Sequence, residues 1–396
     1  MKNRFNIRQI MSLILAITMF TACGQTKEER AQEEISKIME STGAVGLAVA
    51  VVKDGEIIYS ATFGKKSLEE GTAISQDDIF RIASISKSFT TTALMTLVEQ
   101  GKLDIDMDVS DLVGFKVRNP KYPEVVITLK KLLSHTSGMN DTQGYFRLDV
   151  LNPEKNPDYG KCYNDYEPGT KYEYCNLGFN TIGAIVEKYA GVRFDNYIAD
   201  KILKPLSLTA NFNVDSLDAS KFVTLYNKEA VDTTEGAEKI FIPQPAAYLS
   251  RAKDIDSGYV MGYSTPLFSP TGGMKISAHD LARYMVMHMN YGVVPSTGVR
   301  VLSEESAKLM QSPVVETSEG EFYCLALRTT NRLIPGETMV GHTGSAYGLY
   351  SAMFFEPEKR FGFVMMTNGC PPEYKDGFTV IQGDVIRALY EVFIKK

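Results

Sequence analysis

The chain has 396 residues, enough for two or three domains or for one large domain with an insertion, and its 44% apolar and 23% charged content suits a globular protein with an ample core. Its formal net charge of −6 excludes the basic stripe that a nucleic acid or an anionic membrane face would demand. There is no C-x-x-C, and the four histidines (His135, His279, His288, His342) show no metal-ligand spacing, so neither a metal nor another cofactor is implied.

At the N-terminus, Lys2, Arg4 and Arg8 precede an apolar stretch from Ile10 to Phe20 that ends in Thr21-Ala22-Cys23-Gly24. A positive n-region, a short h-region and a small residue before the cut describe a secretory signal, too short to span a bilayer comfortably. Phe20-Thr21-Ala22-Cys23 resembles the bacterial lipobox, in which the cysteine is lipidated and becomes the mature N-terminus, although Phe20 is an unusual first residue for that box. The expectation is therefore a lipoprotein signal over residues 1–23, lipid on Cys23, a polar tether over 24–32, and an exported monomer anchored in the bacterial cell envelope. Three cations leave with the signal, so the mature net charge is about −9. Cys162, Cys175, Cys324 and Cys370 remain, and an exported chain could join them in any of three pairings.

A helical pattern from Glu28 to Met39 leads into Val45 to Val52, a buried strand, and Asp54-Gly55 then turns the chain into a second strand, Ile57 to Phe63. The short apolar run Ile79 to Ile82 precedes a helix that continues towards Gly101. From about Gly101 to Pro270 helices (Leu129 to Leu133, Asn176 to Tyr189) alternate with long loops, of which Asn152 to Thr170 is rich in Pro, Asn, Tyr and Gly. Helical spacing returns at Ser277 to Asn290 and Ser303 to Gln311. Strands are then expected at Phe322 to Leu327, Thr338 to His342, Gly348 to Phe355 and Gly362 to Thr367, before a closing helix, Val380 to Ile394. Strands at both ends with helices between them predict one mixed sheet completed by both termini and interrupted by a helical insertion, with a cleft between the two parts.

Ser84-Ile85-Ser86-Lys87 stands at the start of the helix after Ile82, and places a hydroxyl and an amine one turn apart on one helix face. That is the layout of a serine nucleophile with its own base, at a helix N-terminus where backbone N–H groups favour negative charge. A second S-x-x-K, Ser250-Arg251-Ala252-Lys253, lies in a loop-like stretch after Pro243 and Pro245 and reads as chance. Tyr174-Cys175-Asn176 is the only Y-x-N in the chain. Its phenol can share proton transfer with an ammonium, and its amide can both donate and accept towards a substrate. Gly341-His342-Thr343-Gly344-Ser345 ends a strand with two glycines that permit close approach and a hydroxyl on Thr343.

In this order, and with the flanks Leu132 to Met139, Pro168 to Gly183 and Ser269 to Met274, the motifs resemble the serine β-lactamase and penicillin-recognising DD-peptidase superfamily, in its class C-like branch. The resemblance implies an α+β, β-lactamase/transpeptidase-like fold in which an antiparallel sheet lies between helices and carries an all-α insertion. On that basis one hydrolase domain covers 33–396, its sheet part about 33–85 and 276–396 and its insertion about 86–275. It also implies that Ser84 is acylated, that Lys87 and Tyr174 jointly handle its proton, and that Asn176 aligns the substrate beside His342, Thr343 and Gly344. The backbone N–H groups of Ser84 and Ser345 would form the oxyanion hole, and His135 belongs to a structural loop. The third motif departs from the K-T-G usual in β-lactamases, and His342 weakens the fixed positive charge there. This points to a DD-peptidase, D-aminopeptidase or esterase acting on small-molecule or peptide substrates. A class C-like β-lactamase is the alternative enzyme, and a catalytically silent penicillin-binding or scaffold protein the alternative of another class.

Overall fold

A computed structural model describes residues 25–231 and 238–395. The signal over 1–23 and the lipidation site Cys23 lie outside the described residues. Thr26 caps helix α1 (Lys27–Thr42) through a reciprocal capping box with Glu29, and Ala31 and Ile35 bury its inner face. The stretch 24–32, expected as a tether, is thus helical from Lys27 onward, because its capping chemistry and Ala31 tie it to the domain.

An eight-stranded sheet organises the domain: β1 (Gly46–Lys53), β2 (Glu56–Gly64), β3 (Val315–Ser318), β4 (Glu321–Tyr323), β5 (Arg328–Thr330), β6 (Met339–Ala346), β7 (Leu349–Glu356) and β8 (Phe361–Thr367), in spatial order β3-β4-β5-β6-β7-β8-β1-β2. Every neighbouring pair is antiparallel, so the mixed sheet expected from the chain pattern alone is in fact uniform. The two ends of the chain meet where β1 pairs β8, Leu47 opposite Thr367 and Lys53 opposite Phe361.

The near-continuous apolar run of β1 reflects burial on both faces. Leu47, Val49 and Val51 join Ala31, Ile35, Ile381 and Val385 in one core, under α1 and helix α5 (Val380–Leu389). Ala48, Ala50 and Val52 enter the larger core on the other face with Leu281, Met285 and Met289 of helix α4 (Ala278–Met289). The result is a sheet between two helical layers.

The long insertion packs helix α2 (Ser86–Glu99) against helix α3 (Asn176–Ala190) and also carries a hairpin, Tyr226–Ala230 with Lys239–Pro243. Residues Ser86 to Leu97 of α2 are all buried, so this helix is held by packing all round its circumference. Phe322 to Leu327, expected as one strand, is divided between β4 and the approach to β5 by a turn in which Ala326 takes φ +62°. The four described cysteines are buried and free, leaving all three pairings unformed.

Candidate active site

Ser84 lies in a 3-10 turn (Ala83–Ile85) that leads directly into α2, and Ala83 before it adopts a left-handed φ of +50°. This tight entry sets the Ser84 side chain at the mouth of a cleft of about 520 Å³ lined by Tyr174, Asn176, Arg328, His342, Thr343 and Ser345. Strand β6 passes close to the turn. A Cβ on Gly344 would fall inside contact distance of the Ile82 carbonyl and Ser351 Oγ, so only glycine allows that approach. Beyond Gly341, β6 has no strand partner on its β5 side, since β5 pairs only Met339 to Gly341. The open edge from His342 to Ala346 faces the cleft that Ser84 lines.

Lys87, fully buried in the first turn of α2, places Nζ 3.1 Å from Ser84 Oγ, 3.0 Å from Asn176 Oδ1 and 3.0 Å from the Thr271 carbonyl oxygen. Burial pulls its pKa from 10.5 down to about 7, against the opposing pull of Asp141. Near neutral pH a large fraction of the amine is therefore unprotonated and faces the serine. Tyr174 behaves oppositely. Burial pushes its phenol well above the ordinary range, with the Ser84 hydroxyl pulling weakly the other way. The phenol is thus a neutral donor, whereas the lowered Lys87 amine is the group disposed to accept a proton.

Asn176 starts α3, and Asp141 holds it there. The Asp141 carboxylate accepts the backbone N–H groups of Asn176 (3.0 Å) and Leu177 (2.9 Å) and Asn176 Nδ2 (2.8 Å), with Cys175 Sγ 3.4 Å away. An acidic cap suits a helix N-terminus. It also fixes the amide orientation, because Nδ2 is committed to Asp141 while Oδ1 accepts from Lys87 and from Thr271 Oγ1 at 2.7 Å. One N–H of the amide remains for a substrate. His135 Nδ1 accepts the Cys175 N–H at 3.1 Å, and its ring lies tilted against Tyr174 with 4.2 Å between ring centres.

His342 stands where the sequence places a weakened positive charge. Burial drives its pKa to about 3, Nδ1 donates to the Thr343 carbonyl at 2.5 Å, and Nε2 accepts from the Tyr323 hydroxyl at 3.1 Å. The imidazole is neutral and its ring nitrogens are occupied. The cation at this end of the cleft is instead Arg328, directly opposite Gly341 in the β5–β6 ladder. Its guanidinium lies 4.7 Å from the Phe378 ring centre, while Nε and Nη2 are buried without a hydrogen-bond partner. Glu321, the carboxylate nearest in effect, is engaged by Thr330, Ser318 and Arg332.

The structure thus brings together Ser84, Lys87, Tyr174, Asn176, His342, Thr343, Gly344 and Ser345, and adds Asp141, Thr271 and Arg328. The decoy Ser250 and Lys253 are exposed and line no part of the cleft.

Fold and site together place the chain in the β-lactamase/transpeptidase-like class, a family of serine hydrolases. A sequence model of the beta-lactamase family matches residues 31–382, and the chain belongs to that family. Penicillin-binding protein 4 of Amycolatopsis lactamdurans is 28% identical over 354 residues, covering 85% of this chain and 84% of that protein. Among solved structures, the octameric penicillin-binding protein homologue from Pyrococcus abyssi superposes with a TM-score of 0.69 at 26% identity, over 91% of this chain and 76% of that one. A D-alanine carboxypeptidase from Burkholderia cenocepacia superposes at 0.67 with 18% identity, over 92% and 98% of the respective chains, a likeness of fold.

Proposed function

We propose that the chain is a DD-peptidase-type serine hydrolase whose substrate, a short peptide or depsipeptide, ends in a free carboxylate. The observation that carries this reading is Arg328, an unpaired guanidinium in the Ser84 cleft beside a neutral His342. A buried cation whose nearest carboxylate, Glu321, is committed to other partners is costly, and a substrate carboxylate reaching Arg328 where it lines the cleft would offset that cost. The likeness to a penicillin-binding protein supports the D-configured peptide class.

In the reaction, neutral Lys87 takes the Ser84 proton as Oγ bonds to the carbonyl carbon. The backbone N–H groups of Ser84 and Ser345 receive the oxyanion, each such donor contributing about 3 kcal/mol in the transition state. The proton then passes through Lys87 and Tyr174 to the leaving amine or alkoxide as its bond to the carbonyl carbon breaks, and water later cleaves the acyl-enzyme.

The test pairs two depsipeptides that differ only in whether the leaving hydroxy acid has a free or a methylated carboxylate. The free acid should be preferred about 10- to 100-fold in kcat/KM, and Arg328→Gln should remove most of that preference. Equal turnover of the two, or mass-spectrometric labelling of Ser84→Ala by a penicillin as fast as the parent, would sink the proposal. Rapid turnover of a chromogenic cephalosporin would mark a β-lactamase, and inertness towards every acyl donor a silent binding protein.

A further inference from the structure

A second cavity, of about 250 Å³, adjoins the cleft and shares Arg81, Phe146, Ser269 and Tyr347 with it. We propose that this annex is a subsite for a carboxylate carried on the acyl part of the substrate, the part that stays on Ser84.

Three basic side chains line the annex: Arg81, Lys275 and Arg251. Arg81 and Lys275 are directly opposite one another where Phe80–Arg81 pairs with Lys275–Ile276. Cross-strand partners project from the same face, so the Lys275 amine stands beside the Arg81 guanidinium, and burial together with that charge pulls its pKa well below the ordinary lysine value. Both are buried, at 8% and 5% exposure, and neither forms an ion pair among the described residues. Backbone carbonyls are their acceptors: Gly272 (3.0 Å) and Ala247 (3.3 Å) for Arg81, and Phe212 (2.5 Å) for Lys275. The second terminal nitrogen of Arg81 has no protein partner, and its guanidinium lies 4.9 Å from the Tyr347 ring centre at the junction of the two cavities.

Nearby carboxylates are committed elsewhere. Asp254 sits 3.5 Å from Arg251 Nη1, Asp215 accepts the Arg251 backbone N–H at 3.1 Å, and Asp195 is held by both arms of Arg193. Arg251 is thereby partly neutralised, leaving the Arg81 guanidinium, with the Lys275 amine as a second donor beside it, as the uncompensated centre. Buried cations of this kind are normally matched by an anion.

The placement assigns the subsite to the acyl side. Tyr323 packs against Tyr172 and His342 and pairs with Arg328 across the β4–β5 ladder, whereas Arg81 lies over Tyr347, and both also line the annex with Ser269. If Arg328 holds the leaving group, the reading on which this inference rests, the acyl portion is directed towards the annex.

The test uses N-succinyl- and N-butyryl-D-alanine p-nitrophenyl esters, whose neutral leaving group makes no call on Arg328. The succinyl ester should be preferred about tenfold or more in kcat/KM, and Lys275→Met and Arg251→Gln should each cut that ratio, Lys275→Met to near one. A ratio near one in the parent, or one unchanged in both variants, overturns the annex while turnover of the butyryl ester keeps the serine-hydrolase reading intact. Should neither ester turn over, the hydrolase reading fails. The annex is then judged by calorimetric binding of N-succinyl- against N-butyryl-D-alanine to Ser84→Ala protein, where equal affinity refutes it. Phosphate binding that Lys275→Met abolishes, alongside a succinyl ratio of one, would reassign the cavity to a free anion and equally overturn the proposal.

Discussion

Replacing Asp141 by asparagine removes a carboxylate that organises three parts of the site at once. It accepts from the Asn176 and Leu177 backbone and from Asn176 Nδ2, and it raises the pKa of Lys87. Charge-assisted hydrogen bonds contribute about 1.5–3 kcal/mol each. Asp141 is only partly buried and an amide retains one acceptor, so the stability loss should be about 2 kcal/mol rather than the sum. The kinetic loss should be larger. With Nδ2 released, the Asn176 amide can rotate away from Lys87, and a displacement of ~1 Å at a reacting geometry costs about 10²-fold. The pH profile separates this from simple destabilisation. Acylation requires unprotonated Lys87, so in the parent its rate should rise with pH through about 7. Removing the carboxylate that favours the ammonium shifts that limb to lower pH. The assay is the second-order rate of Ser84 acylation by a fluorescent penicillin across pH, with urea unfolding of the same variant. A limb that stays put or moves upward, together with the expected stability loss, would refute the coupling of Asp141 to the base.

Two further outcomes follow from burial and packing. His288 and His342 are both buried with pKa values depressed from 6.5 to about 3, so between those values only the unfolded chain takes up their protons. Their contribution to stability is complete above pH 6.5 and falls with acidification, by about 2 kcal/mol per histidine between pH 6.5 and 5. His288→Gln, remote from the cleft, should flatten the pH dependence of urea midpoints by its share; an unchanged slope would contradict the assignment. Gly344→Ala forces β6 away from the Ser84 turn, because the new methyl meets the Ile82 backbone. It should lower acylation at least ~10²-fold while costing about 1–3 kcal/mol, and acylation at the parent rate would show that the close approach is dispensable.

The catalytic core was legible because Ser84 with Lys87, Tyr174 with Asn176, and His342 with Thr343 and Gly344 are each spaced by the element that carries them. A helical turn or strand end leaves its mark on local sequence. Asp141, Thr271 and Arg328 have no such mark. They reach the site from loops or a neighbouring strand, and their partners lie far along the chain. The charge state of His342 was likewise invisible, since it depends on burial against Tyr323 and the Thr343 carbonyl. In the fold, apolar runs located the long strands, whereas the β4–β5 division hinges on the left-handed Ala326, which no residue preference announces. Polar composition marks 24–32 as a tether, whereas the helical pattern from Glu28 and the Thr26–Glu29 capping box start a helix at Lys27.

The pairing of β1 with β8 joins strands from opposite ends of the described chain. Such closure has a high contact order, so β1 must wait for its β8 partner until almost the whole polypeptide exists. Until then Lys87 is an ordinary solvated amine with a pKa near ~10.4. Folding itself manufactures the base, at a cost of about 4–5 kcal/mol at neutral pH for discharging a buried lysine. Partly made or locally unfolded chains therefore carry the Ser84 motif beside an ordinary ammonium, and the lowered lysine appears only on completion of the sheet.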